Sequence, residues 1–350
     1  MRRIMALLLA VLLAVSLTAC GEKSAAKQVF AMDTVMQFTA YGKDREAAVK
    51  DAEAEMYRLE GMLSRTQADS EVSQLNSAGG TFDISEEVYR LISTAMEFTT
   101  ATGGVFDITI APVASAWGFT EDTFRVPGQD ELEELLTHVG PQHIWRKDQL
   151  HDDGTYTVEL DQGTQIDLGG IAKGYASDRA GAIFRQHGVT QGTITLGGNI
   201  LALGTRPDGD PWRVGVQDPA KPDDGNALVG ILHLTDAYAI TSGSYQRFFE
   251  ENGTIYHHIL DPDTGYPADS GLTSVTVVAD GEEGNGTMCD ALSTALFVMG
   301  EDRALDFWRS GVYDFDLVLV TADGRVVVTE GLADRFTESE GSGYTYETAS

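Results

Sequence analysis

The sequence predicts an α+β fold in which largely antiparallel sheets are flanked by helices, and three observations lead to it. Apolar residues recur at three- and four-residue spacing before residue 103 and again after residue 287. Between and among these stretches lie short apolar or alternating segments separated by Gly, Pro and Asp, which read as strands. The two kinds of segment mix without the strict alternation that a doubly wound parallel sheet requires.

Taken in chain order, the first element is a leader. Arg2 and Arg3 precede about fourteen mostly apolar residues, Ile4 to Leu17, too few to span a bilayer, so residues 1–19 read as a secretory signal peptide. It ends in Leu17-Thr18-Ala19-Cys20, similar to the lipobox of bacterial lipoproteins, which makes Cys20 the expected lipid anchor and residues 20–28 a small, polar tether. The expected place of the protein is therefore the outer face of the cytoplasmic membrane. A catalytic unit is expected over 29–335, followed by a polar C-terminal tail at 336–350.

Asp44 to Met62 has helical composition, with Ala48, Ala52, Met56 and Leu59 on one face. Ser85 has the place of an N-cap for a second helix through Val88, Leu91, Ile92, Ala95 and Met96, ending near Gly103-Gly104. A third, short helix is expected over Gln129 to His138. Strands are expected at Tyr156–Leu160, Thr193–Ala202, Trp212–Gln217, Leu228–Leu234, Tyr256–Leu260, Leu272–Ala279 and Asp316–Val320. The last of these is followed by Ala322-Asp323-Gly324 and Arg325–Val328, a hairpin signal. Thr287–Met299 and Asp302–Trp308 read as helices. No repeat and no proline- or serine-rich linker divides the chain after Lys27, so one intertwined unit is expected.

Charge narrows the partners. Loss of residues 1–19 lowers the basic count from 24 to 22 against 54 acidic residues, a net charge of −32, which disfavours nucleic acid. The same field repels a nucleotide phosphate, so a nucleotide ligand needs a divalent cation or local helix N-termini to offset it. Only Cys20 and Cys289 remain in the mature chain, and with Cys20 acylated no internal disulfide forms.

Three segments could carry chemistry. Ile166-Asp-Leu-Gly-Gly-Ile-Ala-Lys-Gly-Tyr175 runs from an expected strand through two glycines into a helix reaching about Gln186, with Lys173 near the helix start. Such a turn admits close backbone approach to a phosphate, or else it is a tight turn with a solvated lysine. In Thr287-Met-Cys-Asp-Ala-Leu-Ser-Thr-Ala295, Asp290 and Thr294 stand at i and i+4 and share a helix face, a half-site for a hard cation. The alternative is an N-terminal Asp favoured by the helix dipole and a core Thr. In Tyr256-His-His-Ile-Leu-Asp-Pro-Asp-Thr-Gly265, strand alternation puts His257 and His258 on opposite faces, so one of them can serve as a base at a strand rim. Cys-x-x-Cys, Gly-x-Ser-x-Gly and Gly-x-Gly-x-x-Gly are absent from the mature sequence.

In this order, the three segments resemble the ApbE family of FAD:protein FMN transferases. The similarity runs from about Phe30 to Leu332 and includes Ala31-Met-Asp-Thr34, Asp69-Ser-Glu-Val-Ser-Gln-Leu-Asn76 and Gly104-Val-Phe-Asp-Ile-Thr109. It continues through Trp117-Gly-Phe119, Thr195-Leu-Gly-Gly-Asn199 and Thr241-Ser-Gly243. The resemblance implies that Met32, Val105, Phe106, Asp107, Asp167, Lys173 and Leu260 lie around FAD. It further implies magnesium on the Gly170 carbonyl, Asp290 and Thr294, with Asp290 and His258 as the catalytic residues and His257 facing away. An oxygen-only site also accepts manganese.

The implied reaction transfers FMN from FAD to a Thr or Ser hydroxyl of an exported acceptor protein and releases AMP. A magnesium-dependent FAD pyrophosphatase and a non-catalytic flavin-binding lipoprotein are the rival functions. Two positions depart from the family pattern: Ser293 stands where some members have another carboxylate, and Thr66 where many have an aromatic residue.

Overall fold

The structure, a computed structural model, describes residues 23–120 and 123–350. The expected signal peptide and Cys20 lie outside the described residues. Strands β1 (Ser24–Ala31) and β2 (Thr34–Tyr41) form a hairpin, followed by helices α1 (Arg45–Leu63) and α2 (Glu71–Ala78), strand β3 (Thr81–Ser85) and helix α3 (Glu86–Ala101). Two short helices, α4 (Ala111–Trp117) and α5 (Gln129–Leu136), precede strands β4 (Ile144–Leu150) and β5 (Thr155–Leu160). Helix α6 (Ala172–Gln186) leads into β6 (Gly192–Leu196), β7 (Asn199–Leu203), β8 (Trp212–Gln217), β9 (Leu228–Leu234) and β10 (Ala237–Gly243). A small hairpin, β11 (Phe248–Glu251) and β12 (Thr254–His257), comes before β13 (Leu272–Asp280) and the helices α7 (Asn285–Met299) and α8 (Glu301–Arg309). The chain closes with β14 (Asp316–Thr321), β15 (Arg325–Thr329), β16 (Phe336–Glu338) and β17 (Thr345–Ala349).

The expected α+β class holds. A nine-stranded sheet in the order β1-β2-β6-β7-β10-β13-β14-β15-β17 is antiparallel at every pair except β15 with β17. Smaller sheets β16-β9-β8, β3-β5-β4 and β11-β12 complete it. The middle of the large sheet is covered on both faces. Tyr238, Ile240, Val275, Val277, Leu317 and Leu319 join the core shared with the helices, while Ala239, Val278, Val318 and Val320 pack against β8 and β9. This is why those strands read as continuous apolar runs rather than as alternating ones.

Local signals explain most elements. In α1 the face that carries Ala48, Ala52, Met56 and Leu59 is buried, and Ser85 caps α3 by accepting from Val88 N at 3.4 Å. Five expectations are corrected. Thr193–Ala202 is two strands, β6 and β7, reversing at Gly197-Gly198, where Gly197 has φ 65°. The segment Ile166–Leu168 is ordered loop, not strand. The strand expected at Tyr256–Leu260 stops at His257. Residues 336–350 are not a tail: β16 pairs with β9 and β17 lies parallel to β15. At the other end, residues 24–28 of the expected tether already belong to β1.

The site is positioned by the crossing of α6 and α7. A Cβ on Gly174 would lie 2.2 Å from the Gly286 carbonyl oxygen, so only glycine lets the two backbones approach this closely. The start of α7 is satisfied from α6. Asp178 accepts from Gly286 N at 2.9 Å through Oδ1, and from Thr287 N at 2.8 Å and Thr287 Oγ1 at 2.6 Å through Oδ2. A buried carboxylate thus takes the orphan amides of a helix N-terminus.

Candidate active site

The loop before α6 is fixed from two sides. Asn76, at the end of the Asp69–Asn76 motif, donates from Nδ2 to Ile166 O and accepts at Oδ1 from Ile166 N, both at 2.8 Å, so one side chain imitates a strand neighbour. Asp167 N donates to Ile108 O at 2.7 Å, which binds this loop to the 104–109 segment. Within that segment Val105, Phe106 and Asp107 are buried. Asp107 Oδ1 accepts from Thr109 N at 2.8 Å and Thr109 Oγ1 at 2.6 Å, and burial raises its pKa despite those bonds. Asp167 Oδ1 accepts from Gly169 N at 2.8 Å, and Lys173 Nζ reaches Gly169 O at 3.3 Å.

Asp290 meets this loop from α7. Its carboxylate is buried, with Oδ2 accepting from Gly174 N at 2.8 Å and Lys173 Nζ 3.9 Å from Oδ1. Gly174 is the third residue of α6, so its amide is one of the helix's unpaired N-terminal donors, and Asp290 satisfies it. Among the described residues no hydrogen bond ends on Gly170 O, so that carbonyl keeps its lone pairs. A Cβ on Gly170 would lie 3.1 Å from Phe106 Cε2 and 3.7 Å from Thr294 Oγ1. The Asp290 carboxylate thus lies beside Lys173, with the Thr294 hydroxyl on the side of Gly170. Among the described residues no group of three or more His, Cys, Asp or Glu side chains could hold a metal. The donor set here is of hard oxygens with a single carboxylate, which fits magnesium bound partly through a substrate phosphate. Because α7 starts at Asn285, Asp290 sits in its second turn and does not cap its own helix; the amide it takes belongs to the first turn of α6. The alternative of an N-terminal Asp favoured by the dipole of its own helix is thereby removed.

The two histidines part as alternation predicts. His257 packs edge-on against Phe297, centroids 5.5 Å apart, in the core. His258 is half-buried beside Phe119, with Nδ1 3.1 Å from Arg247 O and its own N donating to the same carbonyl at 3.1 Å. Since a carbonyl only accepts, Nδ1 carries the proton and Nε2 is left as an acceptor. Burial, and then the nearby Arg247 and Lys173 cations, lower its pKa to about 3.

Phe106, Asp107, Asp167, Gly170, Lys173, Asp290 and Thr294 are thus tied together by bonds and contacts, with His258 within the field of Lys173. Met32 and Leu260 are held by other parts. Met32 occupies the β1–β2 turn with φ 50° and donates from N to Glu60 Oε1 at 2.9 Å. Leu260 packs with Val113, Trp117, Phe119 and Leu132 in a separate apolar cluster. Beside Thr66, a residue that the sequence did not mark takes the interior place: Arg65 donates from Nη1 to Asp167 Oδ2 at 2.9 Å and from Nη2 to Ser115 Oγ. Its only signal was a basic residue before a polar motif in a strongly acidic chain.

The chain matches the ApbE family over residues 32–318. It is 32% identical over 338 residues to the FAD:protein FMN transferase of Treponema pallidum (strain Nichols), spanning 90% of this chain and 91% of that protein. A second FAD:protein FMN transferase, from Klebsiella pneumoniae (strain 342), is 33% identical over 291 residues, 82% of this chain and 86% of its own. Among solved structures, the ApbE protein of Thermotoga maritima superposes with a TM-score of 0.75 at 34% identity, covering 91% of this chain and 97% of that one. The apo form of the flavinyl transferase ApbE of Pseudomonas stutzeri gives 0.76 at 26% identity, covering 91% and 98%. With the match extending over most of its length, in sequence and in fold, the chain belongs to the ApbE family.

Proposed function

We propose that this chain is a magnesium-dependent FAD:protein FMN transferase, exported and held at the outer face of the membrane through a lipid on Cys20. The acceptor hydroxyl oxygen bonds to the FMN phosphorus, the pyrophosphate P–O bond to AMP breaks, and the hydroxyl proton leaves to a base. The observation that carries this reading is that Asp290 meets the Gly170–Gly174 turn beside Lys173, with Thr294 on the Gly170 side, in a protein of strongly negative charge. Relatives named for this activity support it.

A magnesium ion held by Gly170 O, Asp290 Oδ1 and Thr294 Oγ1 would neutralise pyrophosphate charge, against the field of the acidic protein. Lys173 would hold a phosphate oxygen, and Val105 and Phe106 would give the flavin an apolar wall, with Met32, Asp107, Asp167 and Leu260 completing the FAD cleft. The Arg65 guanidinium fixes the Asp167 carboxylate in that cleft. An acceptor hydroxyl has a pKa far above 7, so His258 Nε2 would take its proton as the new bond forms. Its low pKa in the free protein comes partly from cations.

The test is incubation of the purified chain with FAD, magnesium and an exported acceptor protein, followed by denaturing electrophoresis and AMP assay. Flavin fluorescence travelling with the acceptor, with one AMP per flavin, is the expected result. AMP with free FMN and no labelled protein would replace the transferase with a pyrophosphatase, and no AMP at all would leave only flavin binding. The anchor is tested separately. Cys20→Ala should move the protein from the membrane fraction to the soluble one and leave AMP release unchanged.

A further inference from the structure

The hydroxyls at the end of β10 and on α7 form a chain whose direction follows from counting protons. Ser293 Oγ donates to Asp290 O at 2.9 Å, so its single proton is committed. Ser242 Oγ lies 2.8 Å from Ser293 Oγ and is taken as the donor, because the reverse order would replace the 2.9 Å bond from Ser293 to Asp290 O with one from Thr294 at 3.5 Å. Only lone pairs then remain on Ser242 for Thr294 Oγ1 at 3.3 Å, which makes Thr294 the donor there. The competing acceptor for the Thr294 proton is Asp290 O at 3.5 Å. That carbonyl already receives the Ser293 hydroxyl and the helical amide of Thr294, which use both its lone pairs. The Thr294 proton therefore points to β10, and the lone pairs of Thr294 are left for the side where Gly170 lies.

We propose that Ser242 is a positioning residue for the cation site: by accepting the Thr294 proton it turns the Thr294 lone pairs toward a bound divalent ion. This rests on the reading of Gly170, Asp290 and Thr294 as the ion's ligands. Without the Ser242 acceptor nothing holds the Thr294 proton on the β10 side, so the hydroxyl is free to turn and a ligand is misdirected although none is removed. Side chains that orient ligands in this way commonly change metal affinity by about tenfold or more. It also gives Ser293 a role at the position where some relatives of this family were expected to carry a carboxylate. Ser293 does not reach for the ion; it takes the Ser242 proton and so fixes the direction of the chain.

The experiment is a titration of the full chain with Mn2+ alone, followed by electron paramagnetic resonance, so that no turnover is needed. Ser242→Ala should raise the Mn2+ dissociation constant about tenfold, and Ser242→Thr, which restores a hydroxyl, should return it to within about twofold of the parent. Asp290→Asn run alongside separates the two levels of inference. If Asp290→Asn weakens Mn2+ and Ser242→Ala leaves it within about twofold, the positioning role is overturned and the ligand set stands. Unchanged Mn2+ binding in Asp290→Asn removes the ligand set itself. Should Ser242→Ala fail to fold, Ser293→Ala carries the test: it frees the Ser242 proton to turn on Thr294, and the dissociation constant should rise at least about threefold. An unaltered constant in a folded Ser293→Ala protein overturns the proposal.

Discussion

Asp290 shows how one side chain is bound into the fold and still left available. Oδ2 is spent on the Gly174 amide, while Oδ1 lies 3.9 Å from Lys173 Nζ and accepts no hydrogen bond among the described residues. Asp290→Asn keeps a ligand oxygen and removes the charge. AMP release at low magnesium should fall at least about a hundredfold, roughly 2.7 kcal/mol, and recover partly as magnesium is raised. Near-normal release with unaltered magnesium dependence would sink the assignment. His258 offers a test through pH. Its folded pKa lies below the unfolded value of about 6.5, so the stability it contributes is present above that value and is lost as pH falls toward about 3. The parent should lose more stability between pH 7 and pH 5 than His258→Gln, measured by urea denaturation at both pH values. Equal losses would mean that the ring is not held neutral. In the proposed reaction the same variant should slow FMN transfer about a hundredfold to ten-thousandfold with little change in the FAD Michaelis constant.

Helix contacts decide whether those residues meet. The crossing of α6 and α7 depends on Gly174, whose missing Cβ leaves room for the Gly286 carbonyl and whose amide holds Asp290. Gly174→Ala should destabilise the protein by about 1–3 kcal/mol through overpacking and weaken divalent-ion binding at the same time. Urea denaturation and Mn2+ titration check the two effects, and a variant of parental stability would show that the helices can separate cheaply. At this scale legibility varied with local signal. The helices at Arg45–Leu63 and Glu86–Ala101 announced themselves by periodicity and a Ser cap, and the Asp323-Gly324 hairpin by its turn residues. The β1–β2 hairpin turns instead on Met32 and Asp33, with φ of 50° and 57°, and carries no glycine to mark it. Strand β10 passes between two buried faces, so its Ala-Tyr-Ala-Ile-Thr-Ser-Gly sequence has no polar side to alternate with.

For the whole molecule the main correction concerns the C-terminus. Residues 336–350 look polar because β17 is an edge strand, yet Tyr344 OH donates to Asp218 Oδ1 and Tyr346 OH to Val229 O, both at 2.7 Å. Deletion of residues 342–350 should expose the β15 edge and lower the melting temperature by roughly 5 °C or more, measured by calorimetry. An unchanged melting temperature would restore the reading of a dispensable tail. The N-terminal limit moves in the same sense: a soluble form should begin at or before Lys23, since β1 starts at Ser24.

Apart from Gly170 and the choice of His258, which came from the resemblance to the ApbE family, the sequence by itself determined the α+β class, most helices, and the segments that carry Lys173, Asp290, Thr294 and the His257-His258 pair. Each is marked by spacing within one short stretch, where residues three or four apart share a helix face and residues two apart share a strand face. It determined the negative charge that calls for a cation at a phosphate site as well. Only the tertiary structure decided that Gly174 gives its amide to Asp290, that Asn76 and Arg65 hold the loop carrying Asp167, and that Ser242 faces Thr294. These pairs lie 116, 90, 102 and 52 residues apart in the chain. Contacts at such separations leave no periodic trace in a sequence, because they are set by where helices and strands pack and not by the pitch of any one of them.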